Sequence, residues 1–438
     1  MMKKKRMLIL GAGISGLSAA YALAKKSDEY DCVLLEQKES AGGFMETEET
    51  GGFILEKGPR VFKSSRNKEL LQLVEEIGFS SEIIGSSKDS ERRYLWLDGA
   101  LQKMPDNLFS LFTASLARPL LISLLKEWYK PAFLEDETIW AFACRRFGKN
   151  VAERFFDPLV LGIYAGDIKT LSVEACFPFF KELERKKGSI TWGLLSSIFK
   201  KKTKKTSLKS SLFSFKKGTG SFIKQLTLHI PFPIYYGQKV LSLEKKGEGF
   251  LLKCSQGVFE ADEVIIALPA YMAGDLLKPW KEELFVRLSN IPYQAVTSMN
   301  VAFVSEVLSV SAFGYLIPKI EKEEVLGVLF DSKIFPEQQG SSHTTMTLMI
   351  EGVDRSDEEL LRILDRVLKV HLKITEEPNV VSWKRMAKAI PQYNVGHLEG
   401  VSTIQKLLPK GIHLAGNYLK GVSVNDCIRV SASLILEM

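Results

Sequence analysis

The sequence is poor in cysteine and histidine, with five of each in 438 residues. Cys32, Cys144, Cys176, Cys254 and Cys427 are odd in number, widely spaced and form no CxxC pair. That argues against a disulfide scaffold or a zinc module and favours a reducing compartment. The histidines are scattered, so no metal site is expected. Long unbroken apolar runs are also lacking. Residues 7–24 follow a basic start, but Gly11, Gly13 and Gly16 interrupt them, unlike a signal peptide or spanning helix. Residues 108–128 are apolar but broken by Arg118 and Pro119, so neither half can span a bilayer. The stretch suits a membrane interface or the wall of a greasy cavity; two buried helices would read the same way.

What remains is ordinary globular composition, with 45% hydrophobic, 25% charged and 10% aromatic residues. Disorder, collagen-like repeats and coiled coils are excluded, and the length suits about three domains. The net charge is +7, yet residues 181–217 alone hold 12 Lys or Arg against two Glu. The rest of the chain is therefore slightly acidic. Basic charge confined to one segment argues against a nucleic-acid partner. The lysines between 200 and 205 sit among Ser and Thr and read as a surface loop, with contact to anionic lipid as a further option.

Residues 7–10 read as a buried strand, 15–26 as a helix and 32–35 as a second strand, a βαβ opening. Residues 69–77 predict an amphipathic helix closed by Gly78. Residues 104–180 are rich in helical periodicity. Strand patterns return at 239–243, 250–254 and 258–259, with Gln256-Gly257 as the hairpin turn. Residues 264–268 form an apolar strand of the parallel-sheet kind, stopped by Pro269. Several strand-like runs between 296 and 350 suggest a second sheet. A helix at 357–371, a strand at 411–415 and a helix at 426–436 complete the chain. The first and last pieces belong to one α/β layer, which makes that domain discontinuous.

Gly11-Ala12-Gly13-Ile14-Ser15-Gly16 fits GxGxxG between a strand and a helix. Glu36 follows Gly16 by 20 positions at the end of the second strand, with Gln37 beside it. This is the full dinucleotide fingerprint. The glycines admit a pyrophosphate to the backbone, and the helix N-terminus offers free N–H groups. The Glu36 carboxylate can accept hydrogen bonds from a ribose diol and would repel a 2′-phosphate, which disfavours NADP. Gly42-Gly43 and Gly51-Gly52 follow closely, as where a chain passes under the rest of an FAD. Val422, Ser423 and Val424 open the last helix, whose N-terminus can face a reduced, anionic flavin ring. No proton-transfer constellation of the kind an NAD enzyme carries is visible. FAD is the expected cofactor.

These residues, together with residues 53–60 (GFILEKGPR from Gly52), 161–172, 313–318, 329–337, 389–398 and 414–428, resemble the oxygen-dependent, FAD-containing protoporphyrinogen oxidases of the flavin amine oxidase superfamily. The resemblance runs almost end to end. It implies an α/β (α+β) fold: a Rossmann-like FAD-binding domain with an inserted mixed-sheet substrate domain and a helical membrane-binding domain. The boundaries implied are 1–91, 213–270 and 396–438 for the FAD domain, 92–212 for the helical insert and 271–395 for the substrate domain. It implies a homodimer, peripheral membrane contact from the cytoplasmic side and a six-electron oxidation of a porphyrinogen, with O2 as acceptor and H2O2 as product. The cofactor carries the hard chemistry, which accounts for the absent acid–base residues.

By resemblance, Arg93 pairs a substrate propionate, with Arg92 as the alternative match; a guanidinium grips a carboxylate in bidentate fashion. Phe313 and Leu316, with Met349 nearby, would pack on the tetrapyrrole face, and Gly162 and Gly166 would let the ligand approach the backbone. Gly43, Phe44, Gly58, Pro59, Arg60 and Val61 would lie along the flavin, and Val240 would contact adenine through its backbone. Ordinary core packing explains the apolar residues equally well without the resemblance. Phe44 stands where many amine oxidase relatives have arginine, which speaks against amine oxidation. Coproporphyrinogen III is the alternative substrate, and a non-catalytic tetrapyrrole carrier is the alternative of another class.

Overall fold

The computed structural model describes residues 4–105, 118–193, 210–339 and 342–438. Half of the apolar stretch at 108–128, and the lysine run at 200–205, lie outside the described residues.

A parallel sheet is ordered Ile234–Tyr235, Tyr30–Leu35, Lys5–Leu10, Glu263–Ile266, Ile412–Leu414. Its central strands are near-continuous runs of apolar residues because both faces are covered. The helices Ile14–Ala24, Lys68–Glu76 and Val424–Glu437 cover one face through Leu17, Leu70 and Ile428. The other face packs on the antiparallel hairpins Val240–Lys246, Gly249–Cys254 and Gly257–Ala261 and on helix Ala270–Leu277. First and last elements do share one layer. The hairpin turn is Ser255-Gln256, one residue before the predicted one, because Cys254 pairs with Gly257.

The second sheet has seven strands in the order Val380–Pro391, Tyr293–Phe303, Thr344–Glu351, Val325–Leu329, Gly314–Leu316, Arg93–Leu97, Ala100–Lys103. Residues 93–103 therefore belong to this sheet, and the expected start of the helical insert at 92 moves beyond them. Strand Arg93–Leu97 runs parallel to Gly314–Leu316, a pairing across 221 positions of register that local pattern cannot reveal. One face of the sheet is greasy: Met299, Val301, Tyr315, Val328 and Leu348 pack on helix Asp357–Arg366. That helix starts at a capping box of Ser356 and Glu359. On this face Trp96 stacks on His371 with centroids 3.9 Å apart, and the Tyr315 hydroxyl meets His371 Nδ1 at 3.0 Å.

The helical insert includes Arg118–Glu127, Ile139–Phe147, Asp157–Tyr164 and Pro178–Lys187. Phe142, Phe147, Phe156 and Phe180 form its centre. A buried charge network ties three of these helices, Arg118–Glu127, Ile139–Phe147 and Pro178–Lys187. Arg146 lies 3.0 Å from Glu127 and 2.6 Å from Glu184, all three side chains being fully buried. Lys181 adds contacts to Glu184 at 3.2 Å and Glu137 at 3.4 Å. Glu127 further accepts from Ser189 Oγ at 2.6 Å and Ile190 N at 2.9 Å. Such networks hold when every member is satisfied and fail when one charge is left alone.

Two stability predictions follow from this packing. Arg146→Met leaves buried Glu127 without its cation, while Glu184 keeps Lys181 and Arg145, and should cost about 3–5 kcal/mol in denaturant unfolding. Burial lowers the pKa of His371 and of His397 to about 4, so the folded protein prefers both imidazoles neutral. The unfolded chain protonates them near the ordinary value of about 6.5. Their stabilising contribution is complete above that value and falls as pH drops towards 4. His371→Gln should flatten the acid limb of a melting-temperature profile; an unchanged limb would remove this residue from the account.

Candidate FAD and substrate site

The chain leaves strand Lys5–Leu10 through Gly11, whose φ of +99° few other residues adopt. A Cβ on Gly16 would stand 1.9 Å from the Gly11 carbonyl oxygen, so only glycine lets the helix start this close. Helix Ile14–Ala24 has no side-chain cap at Gly13 and no acidic residue in its first turn. Its first N–H groups are therefore open to an anion. A Cβ on Gly13 would touch only Gly43 Cα, at 4.0 Å, so the space before it is open. Gly42 N donates to the Ala12 carbonyl at 2.9 Å and brings the glycine pair alongside.

Glu36 is 7% exposed, and its carboxylate accepts from Ala12 N at 2.7 Å and Lys38 N at 2.9 Å. It is thus held at the end of the second strand, beside the phosphate loop. Gln238 N donates to the Glu36 carbonyl at 2.8 Å, while its buried Oε1 has no partner. Gln37 is exposed next to Glu36, and Val240 opens its strand opposite Cys254 just beyond Gln238. An open helix N-terminus, a fixed carboxylate and an orphaned amide oxygen suit the phosphates, ribose and base of FAD.

The next segment returns close by. A Cβ on Gly58 would stand 1.8 Å from the Phe44 carbonyl oxygen, which explains the glycine before Pro59. Arg60, 7% exposed, then reaches into the second sheet. Its NH1 approaches Asn300 Oδ1 at 3.4 Å and Asp331 Oδ1 at 3.5 Å and donates to the Thr347 hydroxyl; its NH2 lies 3.5 Å from Ser298 Oγ. Val61 packs in one cluster with Phe313. From the C-terminal end, Ser423 caps helix Val424–Glu437 by accepting from Asp426 N at 3.1 Å. Gly421 N donates to the Tyr393 hydroxyl at 2.8 Å, which holds the loop leading to Val422. Val422 packs against the helical insert and Val424 against the first domain's core.

The register of the second sheet places the substrate candidates on one face. Arg93 lies opposite Gly314, Leu95 opposite Leu316, Leu316 opposite Gly327, and Gly327 opposite Met349. The neighbouring row continues through Leu329, Thr347 and Asn300, the residues around Arg60. The polar set around Arg60 and the candidate substrate residues therefore share one sheet face. A Cβ on Gly327 would press on Leu316 at 2.8 Å, and one on Gly162 at 3.2 Å, so both glycines make room for that side chain. The Arg93 guanidinium sits 5.1 Å from the Phe313 ring centre, a cation–π contact. It has no ion-pair partner among the described residues, and desolvation lowers its pKa. Arg92, the alternative match, pairs instead with Asp89 at 3.4 Å.

Two expectations need correction. Gly162 faces the Leu316 side chain rather than open space for a ligand. Gly166 does not open towards a ligand: Gln392 Oε1 would lie 2.1 Å from its Cβ, so this glycine admits a neighbouring side chain. The structure also adds residues that sequence reasoning missed. Ser298, Asn300, Asp331 and Thr347 surround Arg60 and are polar residues in or beside buried strands. Their signal was present, since Ser298 and Asn300 alternate with Met299 and Val301 in the buried second half of strand Tyr293–Phe303.

Gly16→Ala should purify without flavin, because its methyl group would need the space of the Gly11 carbonyl oxygen. Flavin absorbance per mole of folded protein checks this, and full occupancy in the variant would refute the placement.

Residues 14–432 match the family described as flavin containing amine oxidoreductase. The chain is 32% identical to human protoporphyrinogen oxidase over 97% of its length and 96% of that protein. It is 28% identical to the Dictyostelium discoideum protoporphyrinogen oxidase, covering 98% and 97%. Among solved structures, it superposes on an Exiguobacterium protein provisionally named a protoporphyrinogen oxidase, with TM-score 0.87, 23% identity and 100% and 99% coverage. A reduced UDP-galactopyranose mutase gives TM-score 0.77 at 15% identity over 99% and 93% of the chains. With the glycine loop, Glu36 and the paired sheets in place, the chain belongs to the flavin containing amine oxidoreductases and is an FAD-dependent oxidoreductase.

Proposed function

We propose that the enzyme oxidises protoporphyrinogen IX to protoporphyrin IX, in three two-electron rounds that pass six electrons to three O2 and yield three H2O2. The observation that carries this reading is Arg93, without an ion-pair partner among the described residues, over Phe313 at the edge of the apolar row of Leu95, Leu316 and Met349. A flat apolar ring with a pendant carboxylate has the matching chemistry. The names of the relatives in human and Dictyostelium discoideum support it.

FAD, when bound, supplies the two-electron acceptor of each round. The chain's own residues do the rest. Arg93 pairs a propionate and fixes the ring's direction. Phe313, Leu316 and Met349 lie against the ring face, and Gly162 and Gly327 keep Leu316 low enough for a flat ligand. Val61 and Phe313 both pack on the cluster of Ile84, Ile334 and Phe335, which links the ring's site to the segment beside the cofactor. Arg60 places a fixed positive charge where electron density gathers. Coproporphyrinogen III would bring two more carboxylates and ask for further free cations. Lys384, on the same row beyond Ser298, is already paired with Glu46.

We further propose that the helical insert rests on a membrane interface. Trp128, Tyr129, Leu134, Phe179 and Trp192 are 48–90% exposed there, and Trp128 stacks on Trp192 at 5.4 Å. Aromatic side chains favour that boundary, and no described helix is long and apolar enough to cross a membrane. Vesicle co-sedimentation of wild type and Trp128→Ser/Trp192→Ser tests this reading.

The test of function supplies anaerobic protoporphyrinogen IX or coproporphyrinogen III to the holoenzyme and then admits air. Faster porphyrin fluorescence from the first substrate, with peroxide released, is the expected result. Preference for the second substrate, or a flavin that neither bleaches nor recovers, would overturn it. Arg93→Ala should raise KM about 10- to 100-fold with kcat less affected, for the loss of charge-assisted hydrogen bonds.

A further inference from the structure

Beside Arg60 lies a small hole of about 10 Å³, lined by Glu56, Arg60, Ser214, Asn300, Asp331 and Thr345 together with apolar neighbours such as Phe335. That is room for one water. Asn300 Nδ2, Ser214 Oγ and Thr345 Oγ1 are all buried and have no hydrogen-bond partner. Folded proteins rarely leave buried polar atoms unpaired, and here the three residues that carry them line the same hole.

Thr347, beside the hole, has one hydroxyl hydrogen to give. Its Oγ1 lies 2.9 Å from Asn300 Oδ1 and 2.6 Å from Asp331 Oδ2. One hydrogen cannot serve both acceptors. Turning the Asn300 amide over would set its NH2 against Arg60 NH1 at 3.4 Å, donor against donor. The conflict vanishes when Asp331 is a carboxylic acid: its O–H donates to Thr347, and Thr347 donates to Asn300. Arg60 NH1 stands 3.5 Å from Asp331 Oδ1, longer than the roughly 2.8 Å of a charge-assisted bond. Burial raises the pKa of Asp331 against the opposing charge of Arg60. The other carboxyl on the hole, Glu56, is also raised by burial, and Lys333 is turned to Glu306.

We propose that Asp331 keeps its proton at neutral pH and, with one water in this hole, is the positioning residue for Arg60. The inference rests on the reading that Arg60 faces the flavin. A neutral Asp331 anchors the arginine through Thr347 without cancelling its charge. The guanidinium then acts at full strength on negative charge gathering at the cofactor.

The test uses holoenzyme. Infrared spectra of wild type, recorded with and without carbon-13 aspartate, should show a protonated carboxyl band that Asp331→Asn lacks. The flavin midpoint potential of wild type should fall more steeply at alkaline pH, as Asp331 ionises and offsets Arg60, and Asp331→Asn should lose that extra fall. A missing acid band in wild type overturns the proposal. So does a raised potential in Asp331→Asn at neutral pH, the response of an aspartate that had been ionised. An empty hole in a high-resolution crystal structure overturns the water. Arg60→Met should lower the potential. No change there would remove Arg60 from the cofactor and end the positioning role, while the infrared band still reports the state of Asp331.

Discussion

The buried guanidinium of Arg60 joins the two halves of this molecule. It leaves a segment that crosses the glycine pair of the dinucleotide domain and ends among Ser298, Asn300, Asp331 and Thr347 of the second sheet. A buried arginine must be surrounded by acceptors, so the sheet strands around it cannot be wholly apolar. Their opposite face can be, and it packs on Leu360, Ile363 and Leu364 of the covering helix. The two-sided character of the second sheet, greasy behind and polar or notched in front, therefore centres on one side chain. Where the polar patch ends, Leu316 and Met349 take over on the same face.

The dinucleotide domain works by close approach. Gly11, Gly16 and Gly58 each stand where a methyl group would meet backbone oxygen or, at Gly16, replace it. Backbone atoms brought this near leave N–H groups free to meet phosphate, and Glu36 is held by two backbone amides before any ligand arrives. Preorganisation of this kind spares the ligand the entropy of ordering its own site. The helical insert uses another device, a set of buried ion pairs around Arg146. Their geometry fixes the mutual placement of three short helices, Arg118–Glu127, Ile139–Phe147 and Pro178–Lys187, in an insert whose apolar residues are partly turned outward.

Much of this was legible in the residues. The phosphate loop and Glu36 depend on a spacing of 20 positions within one βαβ unit, and local backbone chemistry is enough to read it. The amphipathic helix at Lys68–Glu76 and the parallel strand Glu263–Ile266 were likewise visible as periodicity. The predicted hairpin turn was off by one residue because register is set by cross-strand pairing, which composition near Gly257 does not determine.

Sequence alone determined the α/β opening, the dinucleotide loop and the candidate carboxylate, because those features arise within some thirty neighbouring residues. Tertiary structure alone decided that strand Arg93–Leu97 leaves the insert to pair with Gly314–Leu316. It also filled the notch at Gly166 with Gln392 and assembled the polar set around Arg60. Each of these joins residues that lie far apart along the chain. Their meeting depends on sheet register and on the burial of charge, and neither is written in the local order of side chains.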